Sequence, residues 1–229
     1  MLNAVMARIY DCSDRGELLE GLRAARTAIA RGDVIVMPTD TVYGVAADAF
    51  SPAGVQKLLE TKERGRSAPP PVLVPDAAAF DALAERVPDE IRPVLEQFAP
   101  GPITVILPAR SGLSWDLGDT RGTVALRIPD HEIAIALLRD TGPLAVSSAN
   151  LHGQPAAASA EEAERALADR IDVFLDGGVA GGQSSTILDA TPLLKAEPQP
   201  ARIVRQGALS RADLERVLGE HLAPQDAYE

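Results

Sequence analysis

Short side chains that carry oxygen atoms follow an apolar strand candidate early in the chain. In the stretch VMPTDTVYGVAADAF, residues 36–50, they are Thr39, Asp40, Thr41 and Tyr43. Ligands of α/β proteins bind at strand ends and in the loops that follow them, because backbone donors and short polar side chains converge there. The stretch therefore predicts one wall of a ligand pocket.

Three further segments place polar residues beside a strand candidate in the same way. Their residues are Ser147, Ser148 and Asn150 after LAV, Ser184, Ser185 and Thr186 in GGQSST, and Thr123 and Arg127 around an apolar strand. Four such clusters indicate a single shared pocket. Each cluster taken alone is also what ordinary turns and helix caps contain.

The basic residues outside helix faces predict anion binding. Arg127 lies inside an apolar strand candidate, where an unpaired cation is costly, and Arg205 ends a late strand. A guanidinium held in such a place favours a bidentate carboxylate or phosphate. An ion pair within the fold and a ligand site are both compatible with Arg127. Lys62 and Arg66, in a loop with Arg64, also fit solvated surface charges.

The sequence contains none of the common nucleotide or hydrolase motifs. A phosphate-binding GxxxxGK[ST] loop, a GxGxxG turn after a strand and a GxSxG elbow are missing. His131, His152 and His221 lack the spacing of metal ligands. Asp40 and Asp48 could bind Mg²⁺, although aspartates in turns are more often solvated. The residues thus predict neither a nucleophile, nor a general base, nor a dedicated metal site.

Composition limits the partners of the chain. The net charge is −11, from 33 acidic and 22 basic residues, so the overall field repels a polyanion such as RNA. Aromatic residues make up only 3%, too few for a base-stacking platform. Cys12 is the single cysteine, which fits a reducing compartment. We find no signal peptide and no segment that could span a membrane, and we expect a cytoplasmic protein.

Helix and strand signals alternate along the chain, which predicts a layered α/β domain with a mixed sheet. Helix-start signals occur at Asp14, Ser51, Asp130, Ser159 and Ser210. Strand candidates include VIVM, ITVIL, TVALRI, LAVSSA, VFLD, STILD and RIV. We expect one catalytic domain over residues 1–215 and a flexible tail over residues 216–229.

Seven motifs together resemble one known family. They are PTDTVYGV (38–45), Lys62-x-Arg64, PGPITVIL (100–107), TVALRIP (123–129), SSANLHGQP (147–155), STILD (185–189) and RQG (205–207). Their order and spacing, over about residues 15–210, are similar to those of the YrdC-like L-threonylcarbamoyladenylate synthases. The resemblance implies a twisted, open sheet whose concave side holds two substrates.

The resemblance also implies an activity. Members of the family condense L-threonine, bicarbonate and ATP, supplied with Mg²⁺, to threonylcarbamoyl-AMP and pyrophosphate. A downstream transferase then modifies tRNA, so direct tRNA contact by this chain is expected to be weak or indirect. By resemblance, the threonine side comprises Thr41, Tyr43, Arg127 and Ser185. The ATP side comprises Lys62, Arg64, Thr123, Ser148, Asn150 and Arg205.

Two positions depart from the family pattern. Gly65 stands where a proline often follows the Lys-x-Arg motif, and His152 stands where a serine is usual. Glycine has more backbone freedom than proline, so we expect a looser loop over ATP. Two other functions stay open: a YrdC-like paralogue that binds nucleotide and RNA without synthase activity, and an RNA-binding ribosome-maturation module. The acidic charge and the few aromatic residues disfavour the module.

Overall fold

The computed structural model describes residues 7–151 and 153–225. The strands are β1 Arg8–Asp11, β2 Ile35–Met37, β3 Gly44–Asp48, β4 Val72–Leu73, β5 Ile103–Pro108, β6 Thr123–Arg127, β7 Leu144–Ser148, β8 Val173–Asp176, β9 Thr186–Asp189 and β10 Arg202–Arg205. The helices are α1 Arg15–Ala30, α2 Pro52–Thr61, α3 Ala77–Leu83, α4 Arg92–Phe98, α5 Glu132–Thr141, α6 Ala160–Leu167 and α7 Arg211–Leu218. Within these ranges, no helix combines the length and the apolar character needed to cross a membrane.

All ten described strands form one mixed sheet, in the order β1-β8-β2-β3-β7-β4-β6-β5-β9-β10. Strand β3 is antiparallel to β7, and β5 is antiparallel to β6. Strand β9 is parallel to β5 and antiparallel to β10. These pairings place the start of β3 beside the end of β7, and the starts of β5 and β9 beside the ends of β6 and β10. The predicted mixed sheet is confirmed.

Side chains alternate between the two faces along each strand, so the sheet carries an apolar cluster on both faces. In β2, Val36 belongs to one cluster, and Ile35 and Met37 belong to the other. Helices α2, α3, α4, α6 and α7 cover the first cluster, while α1 and α5 cover the second. The result is the predicted layered arrangement, with helices on both faces of the sheet.

Four of the five helix-start signals are confirmed. The side chains of Asp14, Ser51, Ser159 and Ser210 each accept a hydrogen bond from a backbone N–H in the first turn of α1, α2, α6 and α7. The prediction for Asp130 is wrong. His131 occupies the N-cap of α5 and makes no side-chain cap bond, whereas the N–H of Asp130 donates to the Asp40 carboxylate at 3.1 Å.

The C-terminal segment differs from the flexible tail that we expected from residue 216. Helix α7 continues to Leu218, whose side chain is buried. Leu222 and Ala223 are also buried, and Leu222 forms a β-bridge with Ala201. Leu218, Leu222 and Ala223 therefore pack against the domain, and residues 226–229 lie outside the described ranges.

A glycine in β3 allows the close approach of β7 at the edge of the sheet where polar residues collect. A Cβ atom on Gly44 would lie 2.5 Å from Cγ1 of Val146. We expect Gly44→Ala to lower the free energy of unfolding by about 1–3 kcal/mol, because a tightly packed site resists extra volume. Urea denaturation of the variant and the parent measures this difference.

Gly65→Ala is the control, because a Cβ there would meet nothing closer than the Ser67 hydroxyl at 3.9 Å. Its free energy of unfolding is expected to stay within about 0.5 kcal/mol of the parent value. Equal stability of the two variants would contradict the tight contact between β3 and β7.

Candidate active site

One concave pocket lies where the strand ends described above meet. Its polar lining residues are Thr39, Thr41, Tyr43, Arg64, Thr104, Arg127, Ser147, Ser148, Ser184, Ser185 and Arg205. Antiparallel pairing explains part of this convergence, because each such pair brings the start of one strand beside the end of its neighbour. Segments that are far apart in sequence thereby contribute to a single surface.

All four polar clusters in the sequence contribute residues to the pocket, but Asp40, Thr123, Asn150 and Thr186 do not line it. Thr123 begins β6, opposite Pro108 of β5, and its hydroxyl donates to the carbonyl of Thr120 at 2.8 Å. Arg127 ends the same strand and lines the pocket. Since Thr123 and Arg127 occupy opposite ends of one extended strand, the structure does not bring Thr123 into the pocket with the other predicted residues.

Three groups of the protein fix the guanidinium of Arg127. Nε donates to the carbonyl of Gly101 at 3.0 Å, Nη1 to the hydroxyl of Thr41 at 2.8 Å, and Nη2 to the carboxylate of Asp40 at 2.6 Å. A guanidinium has five N–H groups, so two remain, one on each terminal nitrogen. Arg127 is thus both an ion-pair partner and a lining residue with donors to spare.

The ion pair between Arg127 and Asp40 is buried, with side-chain exposures of 7% and 15%. Burial lowers the pKa of Arg127, while the charge of Asp40 and its hydrogen bond act in the opposite direction. From the sequence, Asp40 was predicted to belong to the pocket wall or to bind Mg²⁺, and not to pair with Arg127. The need of a buried arginine for a carboxylate was the signal that could have identified Asp40 as its counterion.

Hydroxyl groups connect the walls of the pocket. Ser185 shares a 2.8 Å hydrogen bond with Thr104, and Arg205 donates to the Ser185 hydroxyl at 3.2 Å and to its carbonyl at 2.7 Å. Thr39 and Thr41 are hydrogen-bonded to each other at 3.0 Å. Thr104 was missed in the sequence, because a threonine within ITVIL is indistinguishable from a β-branched core residue.

Two further arginines add positive charge to the pocket beside Arg127. Arg64 donates to the hydroxyl of Ser147 at 3.2 Å. Partial burial, and then the nearby charge of Arg64, lowers the pKa of Arg205. Arg205 in turn contributes to the lowered pKa of Arg127. The three cations therefore lie close enough to disfavour each other, and an anion in the pocket would relieve that repulsion.

Lys62 and Asn150 form a buried support behind the pocket and do not line it. The Lys62 ammonium donates to the backbone carbonyls of Ser148 and Asn150, and to the Asn150 side-chain oxygen at 2.8 Å. The Ser148 hydroxyl donates to the same side-chain oxygen at 2.6 Å. Lys62 has no solvent exposure, so the simpler interpretation of it as a surface charge is wrong. That interpretation suits Arg66, which is exposed and pairs with Asp116.

The Tyr43 hydroxyl is engaged on the side of the glycine-rich segment after β8. It accepts a hydrogen bond from the N–H of Gly177 at 3.0 Å and donates to the carbonyl of Gly178 at 2.6 Å. Burial raises the pKa of Tyr43 above its ordinary range. Tyr43 is thus a neutral residue that fixes one side of the pocket.

The pocket lining offers hydroxyls and guanidiniums and, among the described residues, no carboxylate. The described part of the chain also contains no group of three His, Cys, Asp or Glu side chains that could hold a metal ion. Asp40 is already engaged by Arg127 and by the N–H of Asp130. These donors suit an anion with hydroxyl and amine groups, and they do not suit a resident Mg²⁺ ion.

Comparisons of sequence give one consistent result. A family model for Sua5, YciO and YrdC proteins, described as telomere recombination, matches residues 27–207. A relative from Mycobacterium leprae is 43% identical over 215 residues, which are 93% of this chain and 95% of that protein. The threonylcarbamoyl-AMP synthase of Bacillus subtilis is 35% identical over 198 residues, covering 85% of this chain and 56% of the synthase.

Comparisons of structure agree. Sua5 of Pyrococcus abyssi, solved in complex with L-threonine, superposes with a TM-score of 0.83 at 30% identity, over 95% of this chain and 63% of that chain. E. coli YciO gives a TM-score of 0.77 at 22% identity, over 90% of this chain and 98% of that chain, which supports the fold alone.

Burial, and to a lesser extent the charge of Arg64, lowers the pKa of Lys62 from 10.5 to about 7. Between these two values the unfolded chain binds more protons than the folded one. The contribution of Lys62 to the free energy of unfolding therefore rises as the pH increases from about 7 towards 10.5. Below that window both states carry the proton, and the contribution is constant.

We expect the unfolding free energy of the parent, relative to a Lys62→Met variant, to increase between about pH 7 and pH 9. Urea denaturation of both proteins at several pH values measures this difference, and the comparison cancels the titration of Cys12 and other groups. A difference that is independent of pH would show that Lys62 keeps an ordinary pKa in the fold.

Proposed function

The chain belongs to the Sua5/YciO/YrdC family, and we propose that it is an L-threonylcarbamoyladenylate synthase. The reaction joins L-threonine, bicarbonate and ATP into threonylcarbamoyl-AMP and releases pyrophosphate. The observation that carries this proposal is the pocket itself. A fixed guanidinium with two free N–H groups lies in one cavity with hydroxyls and with two further arginines.

The threonine carboxylate fits Arg127. The two remaining N–H groups of Arg127 can form the bidentate pair that guanidinium and carboxylate groups favour. The hydroxyls of Thr41 and Ser185 flank the pocket and can bind the amine or the side-chain hydroxyl of the amino acid. This assignment is in line with Pyrococcus abyssi Sua5, which was solved in complex with L-threonine.

The ATP phosphates fit Arg64 and Arg205. These two cations lie near each other, and a polyphosphate would offset their mutual repulsion. The Ser148 hydroxyl also lines the pocket, and it can donate to a phosphate oxygen in exchange for its hydrogen bond to the Asn150 side chain. Lys62 and Asn150 act from behind, by fixing the backbone of the Ser148 loop. We propose that Mg²⁺ enters bound to the phosphates of ATP, since the lining provides no carboxylate for it.

This set of residues suits a reaction that needs no protein base. The amine of threonine and CO₂, in equilibrium with bicarbonate, form a carbamate that is already an anionic nucleophile. A carbamate oxygen attacks the α-phosphorus of ATP, and the bond from that phosphorus to the bridging oxygen of the β-phosphate breaks as pyrophosphate leaves. Catalysis then consists of holding the reactants in line and stabilising negative charge.

The product would be consumed by a separate transferase that modifies tRNA, because a mixed anhydride of this kind is an activated group donor. The acidic net charge of −11 disfavours strong direct contact with tRNA. We place the reaction in the cytoplasm, in line with the single cysteine of the chain.

A pyrophosphate assay with labelled L-threonine tests the proposal. Pyrophosphate release from ATP is expected only when L-threonine and bicarbonate are both present, together with a labelled mixed anhydride that hydrolyses with time. Release that ignores threonine, or no release by folded protein, would favour a nucleotide-binding paralogue without synthase activity.

Arg127→Lys tests the assignment of the threonine carboxylate. Lysine keeps a cation near Asp40 but cannot make the bidentate pair, so the KM for threonine is expected to rise by about 10- to 100-fold. The KM for ATP is expected to change by less than about threefold. Steady-state pyrophosphate kinetics measure both constants. Arg139→Lys, at an exposed position of α5, is the matched control and should change neither KM.

A further inference from the structure

The turn between Lys62 and Arg64 has an unusual backbone for its sequence. The N–H of Arg64 donates to the carbonyl of Leu59 at 2.9 Å, and the N–H of Glu63 donates to that of Glu60 at 3.0 Å. This is the Schellman pattern at a helix C-terminus, in which the residue after the cap adopts the left-handed conformation and is usually glycine. Here Glu63 occupies that position, with φ at +52°.

A single arginine outside the pocket holds this strained turn. Arg170, in the connection between α6 and β8, donates from Nη1 to the carbonyl of Thr61 at 3.0 Å and from Nη2 to the Glu63 carboxylate at 2.8 Å. One rigid guanidinium therefore contacts the residues immediately before and after Lys62. Glutamate provides the second contact, which glycine in the same conformation could not.

The contacts of the turn extend into the pocket in two directions. The Lys62 side chain runs inward to the loop of Ser148, and Arg64 lines the pocket. Beyond Arg64, the carbonyl of Arg66 accepts a hydrogen bond from the N–H of Asp119 at 2.8 Å, and Gly65 is the flexible link between this anchored segment and the turn. The position of Arg64 therefore depends on the turn as well as on the segment beyond Gly65, and Arg170 acts on the turn.

We propose that Arg170 and Glu63 are positioning residues that fix Arg64 for ATP, an inference that rests on the proposed synthase function. The ion pair itself adds little to the stability of the fold, because its two side chains are 31% and 55% exposed and such pairs stabilise a fold only weakly. The value of the pair lies in geometry, since it selects one orientation of a turn that its own backbone disfavours.

Two variants separate positioning from stability. Glu63→Gly removes the ion pair but also relieves the left-handed strain, so its melting temperature is expected to equal or exceed that of the parent. Arg170→Met removes both contacts and keeps the length of the side chain. Both variants are expected to raise the KM for ATP by about fivefold and to leave the KM for threonine within about twofold. Glu63→Gln retains an acceptor oxygen and is expected to recover most of the loss.

Arg92→Met is the matched control, because it breaks an equally exposed pair with Asp81, at 2.8 Å, on α3 and α4. It should leave both KM values unchanged. The inference is overturned if the KM for ATP in Glu63→Gly and Arg170→Met stays within about twofold of the parent, or if both KM values rise together with a lower melting temperature.

The failure of the proposed function would look different. In that case the parent protein itself would release no pyrophosphate with threonine and bicarbonate. Calorimetric titration with ATP still tests the two positioning residues under that outcome. Weaker ATP binding in both variants, with parent-like binding in Arg92→Met, supports their role, and equal binding in all four proteins contradicts it.

Discussion

The buried pair of Arg127 and Asp40 is the interaction on which the site depends. A desolvated guanidinium is tolerated only when its partners are all in place, because removal of one leaves an uncompensated charge. Its partners come from the segment after β2 and from the loop before β5, while Arg127 itself ends β6. The cost of burying one cation thus requires three distant segments to meet, and Thr39, Thr41 and Thr104 of the pocket lining lie on or next to these segments.

The charge of the pocket differs in sign from the charge of the chain. The sequence carries a net charge of −11, yet Arg64, Arg127 and Arg205 line one cavity and, among the described residues, no carboxylate lines it with them. A long polyanion meets mostly acidic surface, whereas a small anion that enters the cavity meets mostly cations. The arrangement therefore favours phosphates and carboxylates of metabolite size. It also explains how an acidic protein can use a highly charged nucleotide as a substrate.

Local signals predicted the elements well, and long-range contacts limited the prediction of the site. Caps at Asp14 and Ser51 depend on neighbouring residues, so the sequence reveals them. The Asp130 cap failed because α5 begins one residue later, with His131 at its N-cap, while the N–H of Asp130 donates to Asp40, ninety residues away. Thr123 was grouped with Arg127 by proximity in sequence, although an extended strand places its two ends far apart. Asp40 as a counterion and Thr104 as a pocket residue became evident only once the strand register was known.

Lys62 is the group in this site whose pKa, about 7, suits a general base, but its surroundings argue against that role. Three oxygen acceptors surround the nitrogen, and only the protonated amine can donate to all three. A neutral lysine would direct its lone pair at one of these oxygens, so loss of the proton would weaken the support of the Ser148 loop. Burial therefore favours the neutral form of Lys62, whereas its hydrogen bonds favour the charged form. The geometry favours a structural donor, which agrees with a reaction whose nucleophile arrives already ionised.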